Sequence, residues 1–347
     1  MPSMSDRKLA TIRVISQLKP IENADLIEVA VIDGWEVVIK KGEFNVGDLC
    51  VYFEIDSWIP TELAPFLSKG KEPREYQGVK GERLRTIKLK GQISQGLALP
   101  RESVLTHDFE NPVAGTDVTE YLNILKWEPV IPAQLAGKLA GNFPSFIPKT
   151  DQERIQNYGR TLENLQGLQV WEVTEKLDGS SMTVFRNTVN GETHMGVCSR
   201  NYELKMEDTD NSFVSTTIKL RIHEKLNLHN INVAIQGELI GPGIQGNAYN
   251  LSEAEFYVFD IFDIDKQEYY SPRRRQFICE ALGIKHTPTF ADYETDNRTT
   301  VSELLTFAEG QSMLNPKAKR EGLVFKNLTD PSKSFKSISN SWLLKND

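Results

Sequence analysis

Residues Thr174–Phe185 read TEKLDGSSMTVF, and the fold turns on what this stretch is. It closes the run LQVWEVTEK, whose alternation of apolar and polar residues predicts a β-strand, and LDGSS supplies the turn after it. Local structure alone makes Lys176 a solvated charge at a strand end. The residues downstream argue otherwise.

K-x-D-G, here Lys176-Leu177-Asp178-Gly179, is common by chance; its company is not. Ser199-Arg200-Asn201 follows, then AIQGELIGPGIQGN with Glu238, then FYVFDIF, then Glu321-Gly322-Leu323-Val324-Phe325-Lys326, and last SFKSISN with Lys336. Each ends or flanks an apolar strand-like run, so one sheet system could present all their charges to one cleft. Strands mixed with helical patterns near 150–164, 211–226, 272–282 and 301–309 make this half α+β.

The first hundred residues have a different texture. LATIRVISQLKPI, LIEVAVIDGWEVVIKKGEF, VGDLCVYFEID and RLRTIKLKGQISQGLALP read as short strands between turns, with turn signals at Asp33-Gly34 and Lys41-Gly42. Such spacing in about 100 residues predicts a small Greek-key barrel, of which the OB-fold is the type that uses a basic rim. The expected domains are 1–125 as an OB-like nucleic-acid-binding domain, 126–148 as a Pro- and Gly-interrupted linker, and 149–347 as the catalytic domain.

Charge distribution sharpens this. The 347-residue chain carries a formal net charge of −8, against a generally basic nucleic-acid coat. Yet residues 69–90 hold eight bases against three acids, and 317–336 hold six against two. Lys80, Arg83, Arg85, Lys88 and Lys90 are the expected nucleic-acid contacts. Cys50, Cys198 and Cys279 lie far apart, which suggests neither a disulfide framework nor a zinc site. The five histidines show no ligand spacing. No apolar run of membrane-spanning length exists, and MPSMSDRKLATIRV has no signal-peptide core, so an intracellular, cytoplasmic protein without membrane partners is expected.

Taken in order, these motifs resemble those of the covalent nucleotidyltransferase superfamily: ATP-dependent DNA ligases, RNA ligases and mRNA capping enzymes. The resemblance covers about residues 145–340. Only eleven residues follow Lys336, too few for the OB domain that DNA ligases and capping enzymes carry there. With its barrel placed first, the chain resembles ATP-dependent RNA ligases of the RNA ligase 2-like branch with an N-terminal OB domain. GERLRTIKLKGQISQGLALP is similar to that module, and FPSFIPKTDQERIQN to the lead-in of the catalytic domain. The resemblance implies an OB-fold followed by a nucleotidyltransferase domain of antiparallel sheets and helices, and a monomer acting on RNA with 3′-OH and 5′-phosphate ends.

It also implies roles. Lys176 would attack the α-phosphorus of ATP and form a lysyl-AMP enzyme intermediate. A lysine with an ordinary pKa of about 10.4 costs about 4 to 5 kcal/mol to hold neutral at pH 7, so nearby positive charge must offset this. Lys326 and Lys336, with Mg2+ or Mn2+, are the available sources. Asp178, Glu238 and Glu321 are hard oxygen donors suited to such an ion. Glu238 counts as catalytic as well as nucleotide-binding. Gly179 would let the backbone approach the nucleotide, and Glu175 would line the adenine pocket. Arg200 and Lys149 would meet phosphate, and Phe259 or Phe262 would stack on adenine. Lys333 stands three residues from Lys336 rather than the family's two and receives no role. The rival readings are a DNA ligase, a capping-type guanylyltransferase, and a catalytically dead nucleic-acid-binding relative.

Overall fold

The computed structural model describes residues 7–106, 113–128, 138–164 and 167–346. The chain divides into two compact units, Met1–Val130 with Leu343–Asp347, and Ile131–Trp342.

In the first unit, strand Leu49–Phe53 lies between Ala10–Val14 and Leu97–Pro100, antiparallel to both. Its apolar residues are continuous rather than alternating because both faces are covered. Val51 and Phe53 join Ile12, Leu84 and Leu99 in one core, while Cys50 and Tyr52 join Ile15, Trp35 and Val37 in another. A three-stranded sheet (Gln17–Pro20, Ile27–Ile32, Trp35–Lys40) turns at Asp33, where φ is 52°. A four-stranded sheet orders Leu125–Lys126, Ser57–Pro60, Val79–Arg83 and Arg74–Tyr76, and Ile87–Leu89 pairs with Gln92–Ser94 in a short hairpin. These are the short strands between turns that the sequence predicts.

The second unit holds two sheets. Seven strands run in the order Leu139–Asn142, Tyr202–Leu204, Glu192–Cys198, Ser180–Val189, Val233–Ile240, Glu255–Asp263 and Glu268–Tyr269, each antiparallel to its neighbour. Leu139–Asn142 lies inside the stretch read as a linker, and is an edge strand instead. The hairpin at Asn190-Gly191 has φ of 53° and 85°, the paired positive values a two-residue turn needs. Five strands form the second sheet: Glu153–Arg154, Ser334–Ile338, Gly322–Asn327, Gln169–Lys176 and Tyr293–Thr295, with only the first pair parallel.

Strand period decides what each sheet buries. In the large sheet Met182, Val184, Val233, Ile235 and Leu239 pack beneath helices Ser212–Lys219, Ile222–His229 and Pro272–Leu282. The opposite face carries Ser181, Thr183, Gln236 and Glu238. In the small sheet Trp171, Val173, Leu323, Phe325 and Phe335 pack against helices Ile155–Glu163 and Val301–Ala308. Its other face carries Glu172, Thr174, Lys176, Lys326 and Lys336. Two polar sheet faces inside one unit are what a cleft requires.

The helices start and stop where their caps say. Ser271 caps Pro272–Leu282, which ends at Gly283 with φ 58°, and Thr300 with Glu303 forms a capping box. The helical pattern over 211–226 splits in two, because Arg221 adopts a left-handed conformation with φ 53°. No helix among the described residues is long and apolar enough to cross a membrane.

Candidate active site

Register across the small sheet assembles the lysines. Lys176 pairs with Gly322, Thr174 with Val324 and Glu172 with Lys326. In the next strand Val324 pairs with Lys336, and beyond it Lys336 lies beside Arg154. Cross-strand partners share a face, so Lys176, Lys326, Lys336 and Arg154 stand on one surface.

Lys176 Nζ lies 2.6 Å from Glu321 Oε1, and Glu321 immediately precedes the register partner of Lys176. Burial disfavours the charged amine, but the carboxylates of Glu321, Glu238 and Asp178 outweigh it and hold the ammonium above its usual range. The carboxyls respond in turn. Burial, then the charge of Glu321, pushes Asp178 up to about 7. Burial pushes Glu238 up to about 8, with Lys176 opposing. One ammonium thus faces three acids, an excess of negative charge that a cation would relieve. Among the described residues no three His, Cys, Asp or Glu side chains converge tightly enough to hold an ion alone. The acids still fit a hard divalent ion that keeps water and phosphate oxygens as further ligands.

The turn after Lys176 is fixed from two sides. The Asp178 amide donates to the Tyr249 hydroxyl at 2.6 Å. At Gly179 a Cβ would stand 2.5 Å from Leu239 O and 2.9 Å from Glu238 Cγ. Glycine is therefore required by the approach of the strand carrying Glu238, a closer constraint than the room for a nucleotide expected from the sequence.

Glu175 points to the opposite face from Lys176. Its Oε2 accepts from the Met313 amide at 2.7 Å, while Oε1 is buried without a hydrogen-bond partner. Burial raises its carboxyl above the usual range. Of the two candidate aromatics, Phe262 is packed in a core with Phe185, Ala234 and Ile147. Phe259 is half-buried and sits at a bulge, since Gln236 pairs with Asp260 but Gly237 with Val258. A bulge re-aims a side chain, and of the two only Phe259 is partly exposed, with the Lys326 Nζ 5.7 Å from its ring centroid.

Lys326, expected to neutralise the nucleotide phosphate, lies on the same sheet face as Lys176. It is buried, ion-paired with Asp260, and donates to the Phe259 carbonyl at 2.8 Å. Burial pushes its pKa down to about 8, against the pull of Asp260. Behind it Arg275, fully buried, pairs with Glu172, lies 3.6 Å from Asp260, and donates from Nε to His286 Nε2 at 3.0 Å. Lys326 thus contacts the backbone at the Phe259 bulge. Lys336 stays half-buried on the site face, and exposed Lys333 pairs with Asp330 at 3.3 Å.

Arg200 pairs with Asp151 at 2.7 Å, Lys149 Nζ donates to Asn201 Oδ1 at 3.0 Å, and the charge of Arg200 reaches Glu238. In the first unit Arg83 is held by Asp56 and stacks 4.0 Å over Trp127, and Lys80 pairs with Glu72 at 3.0 Å. Arg85, Lys88 and Lys90 are exposed. Sequence reasoning missed Tyr249, Asp260, Arg275 and Arg154. Asp260 and Arg154 lay inside quoted motifs, but nothing in one sequence shows which partner a charge will find across a sheet.

Residues 169–338 match the RNA ligase family and residues 9–101 match an OB-fold domain, the barrel type expected at this end. No curated protein sequence matches the chain. Among solved structures, Naegleria gruberi RNA ligase with PPi is 47% identical, covers 98% of this chain and 99% of its own, and superposes with a TM-score of 0.89. A variant of that ligase with ATP and Mn gives 47%, 97%, 99% and 0.88 in the same order, and one with AMP and Mn gives 47%, 98%, 99% and 0.89. With identity of this level along nearly the whole chain, the protein belongs to the RNA ligase family.

Proposed function

We propose that this RNA ligase uses ATP and a divalent metal to join 3′-OH and 5′-phosphate RNA ends through a lysyl-AMP intermediate on Lys176. The carrying observation is the amine itself. It is set at a strand end, 2.6 Å from Glu321, with Glu238 and Asp178 close enough to shift its charge and Lys336 on the same sheet face. The Naegleria ligase structures with ATP, AMP and PPi support the nucleotide, and those with Mn support the metal.

In the first step the Lys176 amine forms a bond to the α-phosphorus, the α–β phosphoanhydride breaks, and pyrophosphate leaves. The proton that the ammonium must lose lies on its hydrogen bond to Glu321. When bound, a divalent ion supplies positive charge against Asp178, Glu238 and Glu321, which favours the neutral amine and the charge on the phosphate. Lys336 faces the same volume and stabilises the phosphate oxygens. Phe259 gives the base a stacking surface, and the unpaired Oε1 of Glu175 offers an acceptor to a nucleotide donor. AMP then passes to a 5′-phosphate, and the 3′-hydroxyl displaces it to form the phosphodiester. Arg85, Lys88 and Lys90 of the N-terminal unit hold the nucleic-acid backbone.

Sealing of one nicked duplex, with RNA or DNA placed separately on each side, tests the substrate. The reading expects a ribonucleotide 3′-OH to be preferred. An all-DNA nick sealed equally well contradicts it.

A further inference from the structure

We propose that Tyr249 is a positioning residue for Asp178: by accepting from the Asp178 amide, its hydroxyl fixes the turn that aims this carboxylate, and Lys176 two residues before it, into the site. The inference rests on the ligase reading and names the residue that sets the geometry of its metal-facing acid.

Tyr249 is 5% exposed, and its ring packs with Leu177, Ile240 and Tyr257. Leu177 stands between Lys176 and Asp178, so one tyrosine meets the turn twice, through the Leu177 side chain and, at 2.6 Å, through the Asp178 amide. Packing alone would be served by phenylalanine. The hydroxyl is needed for the amide. The loop that carries Tyr249 is itself closed: Asn247 Oδ1 accepts from the Leu251 amide at 3.0 Å, and its Nδ2 donates to Leu251 O at 2.9 Å. A second loop braces the first. Asn315 Nδ2 donates to Ala248 O at 2.9 Å, and two residues earlier the Met313 amide donates to Glu175 Oε2 at 2.7 Å. The contacts form a ring that leaves the strand at Glu175, passes through Met313, Asn315, Ala248 and Tyr249, and returns to the chain at Asp178. Both sides of Lys176 are thereby tied to the same pair of loops. The place of a metal-binding carboxylate depends on the groups that orient it, and loss of such a group weakens metal binding.

Tyr249→Phe keeps the ring and removes only the oxygen. In metal-free buffer, hydrogen–deuterium exchange of peptides containing the Asp178 amide should be about tenfold faster in the variant, while peptides from the strand Val233–Ile240 keep their wild-type rate. With ATP, the Mn2+ concentration for half-maximal labelling of the enzyme should rise about tenfold, and excess Mn2+ should restore most of the wild-type rate. A variant that exchanges at Asp178 like wild type, or labels at the same Mn2+ concentration, overturns the proposal. So does faster exchange across both segments with no rescue by Mn2+, the mark of a tyrosine that only fills the core. Wild type that never labels contradicts the ligase reading instead, and exchange at Asp178 then still decides whether Tyr249 holds the turn. Should Tyr249→Phe unfold, as read by circular dichroism, Asn315→Ala takes its place; it cuts the brace without touching the ring, and both shifts are expected in the same direction.

Discussion

Gly179 shows how tightly a single residue can be specified. Because a Cβ there would stand 2.5 Å from Leu239 O and 2.6 Å from Ile240 Cγ2, Gly179→Ala forces the turn away from the strand that carries Glu238. We expect a loss of roughly 1–3 kcal/mol in stability, read as a lower urea midpoint. Adenylylation should fall by about a hundredfold, because a displacement of about 1 Å at a reacting group has that effect. His286 provides a pH test. Its burial, and then the charge of Arg275, push its pKa down to about 4, below the unfolded value of about 6.5. The unfolded chain therefore takes up the proton first. The stability due to neutral His286 is complete above about pH 6.5 and is lost as pH falls from there towards about 4, at up to about 1.4 kcal/mol per pH unit. In His286→Gln, which keeps an acceptor for Arg275, urea titrations between pH 6.5 and 4 should show a shallower loss.

At the scale of the elements, a buried charge network ties the strand Gln169–Lys176, the strand Gly322–Asn327 and the helix Pro272–Leu282 together. Arg275→Met leaves Glu172 buried without its guanidinium, and should cost roughly 3–5 kcal/mol, measured by urea unfolding. Lys326→Met should raise KM for ATP more than it lowers kcat, because Lys326 contacts the backbone at the Phe259 bulge; Lys336→Met should lower kcat instead. Equal effects on the two parameters in both variants would return Lys326 to the phosphate. Much of the element pattern was legible beforehand. The alternation in LQVWEVTEK, the Asp33-Gly34 turn and the helical pattern over 272–282 are local signals, and local signals survive in sequence. The break at Arg221 was not legible, since a left-handed arginine has no composition cue. Nor was the burial of Lys326. Its strand position reads the same whether the facing residue is Asp260 or a phosphate, and that choice is made by the other sheet.

For the whole molecule, order along the chain carried more than composition did. A net charge of −8 hides a basic island at 69–90, and the motifs taken in order point to the family from sequence alone. The structure narrows that island. Arg83 and Lys80 have acidic partners, which leaves the exposed Lys88 and Lys90 of the hairpin as sharper candidates than the rim as a whole. Changing both to Ala should weaken RNA binding across sequences and reduce the salt slope of log K by roughly two units, as measured by binding titrations at several ionic strengths. The central claim is covalent and is tested most directly by incubating the protein with α-labelled ATP and Mg2+ or Mn2+. The account predicts an acid-labile protein–AMP adduct that disappears in Lys176→Ala; no adduct, or one that persists in that variant, would contradict it.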